Sequence, residues 1–455
     1  MTELADPPRQ ESGATASPAP AAPVSRVRPR FLADVYEEAS RCNKCSLCQA
    51  TCPAYQVNPV EWETARGRVS LIRDAIEGRL DLRDLADGPL STCLTCNNCV
   101  AACAPAVDTA QIVARARQEL HEQEGHSWAR TIGLRMLASP AGLGTIRTMA
   151  RIGRATRLQT LVRGTGLTRW MGLPGAVIDQ VDPAGGPGGS TAQRVVPAVG
   201  ERRGRLGFLT CCYQGLTAPQ VTEATLRVLA ANGFEVVVPS LGCSGLPAKT
   251  LGDRDALLTM GRRTVERVRD LDVDALVGDA ASCTQHVRDY GRQLAPAREL
   301  APAAGRVASR TWQASSWLAS RGLTAPLGRL RWTVAVDEPC ALPHAGPERA
   351  ALHRLLEAVP GLRVVELEEA AMCCGGAGTY FHSQADRSAA ILARKMRHVV
   401  ASGAEVVVTE NVSCLHQLRE GARLHAPHVR VLHVFEVLAA AIDVAERRRE
   451  LAERR

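Results

Sequence analysis

Apolar and polar positions follow three different rhythms along this 455-residue chain. Residues 1–30 have none: Pro7, Pro8, Pro18, Pro20, Pro23 and Pro29 sit among Ala, Ser and Arg without periodicity, the pattern of a disordered tail. From Phe31 the spacing becomes helical. Residues 31–39 read as a helix, Val69, Ile72 and Ile76 recur at helical spacing until Gly78, and helical text resumes over 110–124 and runs Arg-rich toward Trp170. Residues 182–190 (Asp-Pro-Ala-Gly-Gly-Pro-Gly-Gly-Ser) have the composition of a flexible linker. Beyond it, β-branched runs such as Phe234-Glu-Val-Val-Val-Pro and Arg331-Trp-Thr-Val-Ala-Val alternate with helical stretches, which predicts βαβ units around a mostly parallel sheet. Nowhere do 18 apolar residues run together uncharged, so no membrane-spanning helix is expected.

Composition adds one anomaly. With 45% hydrophobic and 22% charged residues the chain is an ordinary globular one, long enough for two or three cores, yet it holds 16 cysteines. A chain of this length needs no disulfide staples, and its N-terminus shows no secretory signal, so the expected compartment is cytoplasmic and the thiols are expected to hold metal. The net charge of +8 comes almost entirely from Arg, with Lys only at 44, 249 and 395, and reads as a base-composition habit. Used as rulers, the later cysteines expose a repeat. Cys212 and Cys340 are 128 positions apart, Cys243 and Cys373 are 130 apart, and Cys283 and Cys414 are 131 apart, with either Cys211 or Cys212 able to match Cys340. The expected architecture is α+β overall: the tail at 1–30, a helical ferredoxin-like domain at 31–125, a basic helical segment and Gly/Pro linker at 126–200, and tandem α/β repeats at 201–325 and 326–445.

The first eight cysteines carry the sharpest signal. Cys42, Cys45, Cys48 and Cys52 follow Cys-x2-Cys-x2-Cys-x3-Cys-Pro, and Cys93, Cys96, Cys99 and Cys103 repeat the spacing, which is the bacterial two-cluster ferredoxin run. Three close thiolates wrap one cubane while the fourth points to its partner, so Cys42, Cys45, Cys48 and Cys103 are assigned to one [4Fe-4S] cluster, and Cys93, Cys96, Cys99 and Cys52 to the other. Cys103-Ala-Pro replaces Cys-Pro, which shifts the last turn by one residue. Zinc would accept the same donors, although zinc ribbons usually pair two Cys-x2-Cys hooks per ion. In the second repeat, Cys340, the vicinal Cys373-Cys374 before two glycines, and Cys414 deliver four thiols from strand ends, where open α/β sheets place their sites, and suit a third Fe–S centre. In the first repeat Cys212, Cys243 and Cys283 are weaker candidates, because Cys243-Ser244-Gly245 lacks one thiol that neighbouring Cys211 would have to supply.

The paired runs, Arg66-Gly67-Arg68 between them, and two Cys-Cys-Gly repeats ending in Asn411-Val-Ser-Cys414 resemble the iron-sulfur subunit of bacterial glycolate oxidase. The lactate-utilisation and anaerobic glycerol-3-phosphate dehydrogenase iron-sulfur proteins, and heterodisulfide reductase subunits, are similar. The resemblance implies an electron-transfer subunit that receives electrons from an FAD-containing dehydrogenase acting on a 2-hydroxy acid and passes them to quinone or another acceptor. Consistent with that, no dinucleotide fingerprint is present: the glycines at 185–189 and 375–378 are not G-x-G-x-x-G between a strand and a helix. Residues 126–178 hold eight Arg and no acid, a stretch suited to peripheral contact with the inner face of the cell membrane or with an acidic partner. His286, His344, His382 and His416, and Glu338 and Glu410, lie near the thiols and are expected to be supporting residues. The rival readings are a thiol/disulfide reductase of heterodisulfide reductase type, and a redox-sensing metal protein that binds nucleic acid. Few aromatics and no nucleic-acid motif speak against the latter, and no nucleic-acid partner is expected.

Overall fold

The structure, a computed structural model, describes residues 32–125, 128–156, 181–182, 193–343 and 346–454. The tail at 1–30, most of the Gly/Pro linker, the basic stretch past 156 and His344 lie outside the described residues. The first unit is built on two helices. Ala65–Ile76 starts where the Thr64 hydroxyl accepts from Gly67 N–H, buries Val69, Ile72 and Ala75 on one face, and gives way at Gly78, whose φ of +75° few other residues adopt. Thr109–Glu124, capped by Asp108, contributes Ile112, Val113 and Ala116, and with Leu32, Val35, Leu85 and Leu90 these make a compact apolar core. Both cysteine runs hang from its edge.

Two open sheets follow. The first has the order β1-β3-β2-β4-β5 and the second β7-β6-β8-β9. The strands are β1 (Arg194–Val196), β2 (Gly204–Phe208), β3 (Phe234–Val238), β4 (Ala275–Gly278), β5 (Thr311–Gln313), β6 (Thr333–Val336), β7 (Arg363–Val365), β8 (Val406–Thr409) and β9 (Arg430–His433). All pairings are parallel except β1 with β3. The central strands β4 and β8 are buried along their whole length, as a parallel sheet covered on both faces requires. Registers match between the sheets: Leu206 lies opposite Val236 and Ala275, and Val334 lies opposite Val364 and Val406. The sequence repeat is therefore a structural one, and the two sheets share a core in which Leu206, Phe208, Val334 and Val336 pack with Phe435 and Leu438.

One element departs from the sequence expectation. Residues 194–196, read as part of the linker, form β1 at the antiparallel edge of the first sheet. Three residues are too few for alternation to register, and the pairing depends on β3, some 40 positions away.

Candidate metal centres

The two N-terminal runs adopt one backbone shape. Lys44 and Ser46 in the first, and Thr95 and Asn97 in the second, have φ of 57°, 72°, 50° and 63°, at matching positions between the first and third cysteines. Left-handed backbone at non-glycine residues is unfavourable and is held here four times by its surroundings. In the second run the turn curls Thr95 N–H toward Cys93 Sγ (3.4 Å), and beyond the fourth cysteine Val107 N–H points at Cys103 Sγ (3.4 Å). Arginines clamp the loops from outside. Arg66 pairs with Glu61 and donates to Lys44 O (3.2 Å) and the Ser46 hydroxyl. Arg68, wholly buried, donates to Pro89 O (2.8 Å), Thr92 Oγ1 (2.9 Å) and Glu63 O, with its guanidinium 3.9 Å from Cys52 Sγ. Between them Gly67 packs so tightly that a Cβ would lie 2.2 Å from Glu61 O.

Cys52, Cys93, Cys96 and Cys99 line one cavity together with Arg68. Cys48 has Cys42 and Cys103 as its thiol neighbours, and Cys45 is exposed at its loop. The fourth cysteine of each run thus lies with the other run's thiols. Cys52 caps the helix Pro53–Val57, whereas Cys103 ends in a turn in which Ala106 takes a φ of 54°; that turn absorbs the Cys-Ala-Pro departure. Burial pushes the Cys52 thiol up to about 11, with the Arg68 charge opposing it. A thiolate in this cavity therefore needs a further cation, which is what an iron–sulfur group supplies, and the donor set fits one.

In the second repeat Cys340 faces Cys373, and Cys374 Sγ lies 3.4 Å from Cys414 Sγ. Asn411 Nδ2 points at Cys414 Sγ (3.6 Å). Beneath the vicinal pair, Lys395 makes a fully buried ion pair with Asp337 (2.9 Å) and donates to the carbonyls of Glu369, Ala370 and Met372, so it shapes the approach to Cys373. In the first repeat Cys211, Cys212, Cys243 and Cys283 are brought together, and strand register matches Cys212 with Cys340. Cys96 of the ferredoxin-like unit also touches Cys373, within an apolar cluster of Cys52, Leu94, Tyr380 and Ile391. Among the described residues no three cysteine, histidine or carboxylate side chains converge on one point as the ligands of a single ion would.

The described histidines nearby pair with neighbours other than the thiols. His286 bonds Ser244 O (3.2 Å) and burial pushes it down to about 3; His416 bonds Thr217 Oγ1 (2.7 Å) and is pushed down to about 4. His382, half-buried, packs on Phe381. Glu338 is held down to about 2 by His353 and Arg349, while Glu410, fully buried, is pushed up to about 8 by desolvation. Sequence reasoning missed Arg117, which donates to Cys93 O (2.7 Å) and Leu90 O, and Lys395. The latter had a signal, as one of three lysines in an arginine-rich chain.

A cysteine-rich domain model matches residues 206–288 and 334–419, and a 4Fe-4S dicluster domain model matches 38–107. This is an iron-sulfur chain of one dicluster domain and two cysteine-rich domains. The chain is 25% identical over 426 residues to the probable glycolate oxidase iron-sulfur subunit of Bacillus subtilis, covering 89% of this chain and 94% of that one. Its likeness to the glycolate oxidase iron-sulfur subunit of Escherichia coli is 25% over 409 residues, 88% and 94% of the two chains. Lactate utilization protein A of Exiguobacterium sp. is 28% identical over 242 residues, 52% of this chain and 98% of that one. Among solved structures, a hypothetical protein from Helicobacter pylori shares the fold with a TM-score of 0.51 at 8% identity, over 90% of this chain and 74% of that one.

Proposed function

We propose that this chain is the electron-transferring subunit of a glycolate oxidase-type complex, in which an FAD-containing partner oxidises a 2-hydroxy acid and the electrons leave for a quinone or another acceptor. The observation that carries the reading is the continuity of thiols, from Cys42, Cys48 and Cys103 through Cys52, Cys93 and Cys99 to Cys96, which touches Cys373 across the junction between the units. In this reading Cys42, Cys45, Cys48 and Cys103 hold one [4Fe-4S] cluster, Cys93, Cys96, Cys99 and Cys52 a second, and Cys340, Cys373, Cys374 and Cys414 a third centre. When bound, these groups supply one-electron redox chemistry. The chain's own residues hold and insulate them: Arg68 and Arg117 fix the second run, the Lys395–Asp337 pair fixes the vicinal turn, and Leu94, Tyr380 and Ile391 keep water from the junction. The chain supplies no hydride chemistry in this reading; that belongs to the partner.

Anaerobically purified protein is expected to carry at least about eight iron and eight sulfide per chain. With the flavoprotein that co-purifies with it, glycolate or lactate is expected to bleach the cluster absorbance. Iron-free protein sinks the cluster assignment, and iron-loaded protein that reduces a heterodisulfide but accepts no electrons from a flavoprotein sinks the dehydrogenase reading.

A further inference from the structure

The second repeat arranges its four thiols as two facing pairs, Cys340 with Cys373 and Cys374 with Cys414. The first repeat has Ser244 where Cys374 stands, so its copy of the second pair should be half empty. It is not. Cys212 faces Cys243, reproducing the first pair, and Cys283 Sγ lies 3.4 Å from Cys211 Sγ, the same separation that Cys414 keeps from Cys374.

Strand register fixes the correspondence. Cys212 and Cys340 each stand four residues past the matched positions Phe208 and Val336, and Cys283 and Cys414 each stand six past Val277 and Val408. At the position of Cys211 the second repeat has Pro339. One repeat has thus gained a thiol on the loop after its first parallel strand and lost one from its vicinal pair, and the two departures compensate. The turn around the lost thiol is otherwise kept: Gly245 and Gly375, each two residues past the matched cysteine, have φ of 101° and 87°. Gly245 N–H points at Cys243 Sγ (3.5 Å), and the Ser244 carbonyl accepts from Tyr290 OH (2.5 Å) beside His286. The Ser244 hydroxyl is buried without a hydrogen-bond partner. Cys211, Cys212 and Cys243 are buried and Cys283 nearly so.

We propose that the first repeat is a complete iron–sulfur site made by Cys211, Cys212, Cys243 and Cys283, with Cys211 supplying the thiolate that Ser244 lacks. The inference rests on the reading that the second repeat's thiols hold iron. The site lies next along the thiol path: Ser282, beside Cys283, bonds Asn411 Oδ1 through both its N–H (3.2 Å) and its hydroxyl (2.8 Å), and the same Asn411 points at Cys414 Sγ. On its far side Cys243 N–H donates to Leu137 O (2.8 Å) at the end of the arginine-bearing helix Trp128–Leu137.

The test compares the anaerobically purified full chain with Cys211→Ser, Cys283→Ser, Cys374→Ser and the double variant Cys211→Ser/Ser244→Cys, by iron and sulfide content and low-temperature EPR after dithionite reduction. Cys211→Ser and Cys283→Ser are expected to lose the same increment of iron and the same EPR component, with the N-terminal dicluster signals kept. The double variant, which returns the thiol to its second-repeat position, is expected to regain both. Iron loss in Cys374→Ser with none in Cys211→Ser or Cys283→Ser overturns the first-repeat site and leaves the second-repeat reading standing. No loss in any variant overturns both. Stoichiometric zinc on the first-repeat thiols, or a double variant that folds with wild-type circular dichroism yet regains no iron, also overturns the proposal.

Discussion

Arg68 shows how much a single side chain does at the second cysteine run. Its guanidinium satisfies two main-chain carbonyls and a threonine hydroxyl, and it is the cation nearest Cys52. Arg68→Met would leave Pro89 O unpaired, costing about 1–3 kcal/mol, and Glu63 O with only the Cys52 thiol, while removing the charge that favours a thiolate. The expected outcome is a lowered melting temperature and iron content below that of the wild type, with Arg68→Lys intermediate; wild-type iron content in Arg68→Met would count against the role. Arg66-Gly67-Arg68 stood out in the sequence through its family resemblance alone. Why the glycine is needed depends on Glu61, folded back to within reach of the missing Cβ, which no local pattern displays. Glu410 was legible only as a strand-end acid, because its burial comes from β5 and the helix after it, Ala314–Arg321: Gln313 and Ser315 flank it at the seam between repeats. Its folded-state pKa of about 8 against an ordinary 4.5 means the native state binds the extra proton between those values. Its contribution is therefore fully present below about pH 4.5 and lost as pH rises through 8. Stability should fall between pH 6.5 and 8.5 more steeply in the wild type than in Glu410→Gln, measured by denaturant unfolding. Parallel slopes would show that Glu410 does not titrate in that window.

At the scale of elements, periodicity carried far. The run at 234–239 contains β3, which ends at Val238 before Pro239, and the helices at 65–76 and 109–124 start within a few residues of their expected positions, where Thr64 and Asp108 cap them. Elements whose existence depends on a distant partner, such as β1, were silent. The basic stretch was legible as helical and arginine-rich, and its described part forms two helices, Trp128–Leu137 and Pro140–Ala155. Their inward faces are spoken for: Leu134, Ala138, Leu143 and Ala150 pack over Cys212 and Cys243. Outward they present Trp128, Ile132, Met149 and Ile152, with exposed Arg130, Arg135 and Arg151 alongside. Apolar side chains among arginines on an outer face suit shallow docking on an anionic lipid surface. Vesicles containing anionic lipid should bind the protein at low salt with a blue shift in tryptophan emission. Binding should weaken sharply at about 1 M salt, where the Debye length is about 3 Å, and in Met149→Glu/Ile152→Glu. Binding indifferent to salt and to these substitutions would remove the membrane from the account.

For the whole molecule, the sequence revealed which cysteines belong to which repeat and could not reveal that the two halves touch at sulfur. Cys96 and Cys373 lie far apart along the chain, and their meeting depends on polar clasps that have no motif. Asn98 Nδ2 donates to Ala371 O (3.3 Å), Gln384 Nε2 to Ser91 Oγ (3.4 Å), and Arg394 to Gln56 Oε1 (3.1 Å). The strongest of these is the pair between Arg387 and Glu63, whose carboxylate is wholly buried and shared with Asn58 Nδ2 (2.8 Å). Removing one member of a buried pair strands the other charge, which costs more than the pair itself contributes. Arg387→Leu should therefore destabilise the protein by on the order of 3 kcal/mol. It should also loosen the Cys96–Cys373 contact, slowing electron passage between the units in a stopped-flow reduction. Glu63→Gln in the same chain neutralises the stranded carboxylate and should recover much of the stability. Electron passage should stay slow, because the clasp that draws the two thiols together is still missing. Additive stability losses in the double variant would mean that the two residues act separately and that the junction is held by the apolar cluster around Leu94 and Ile391.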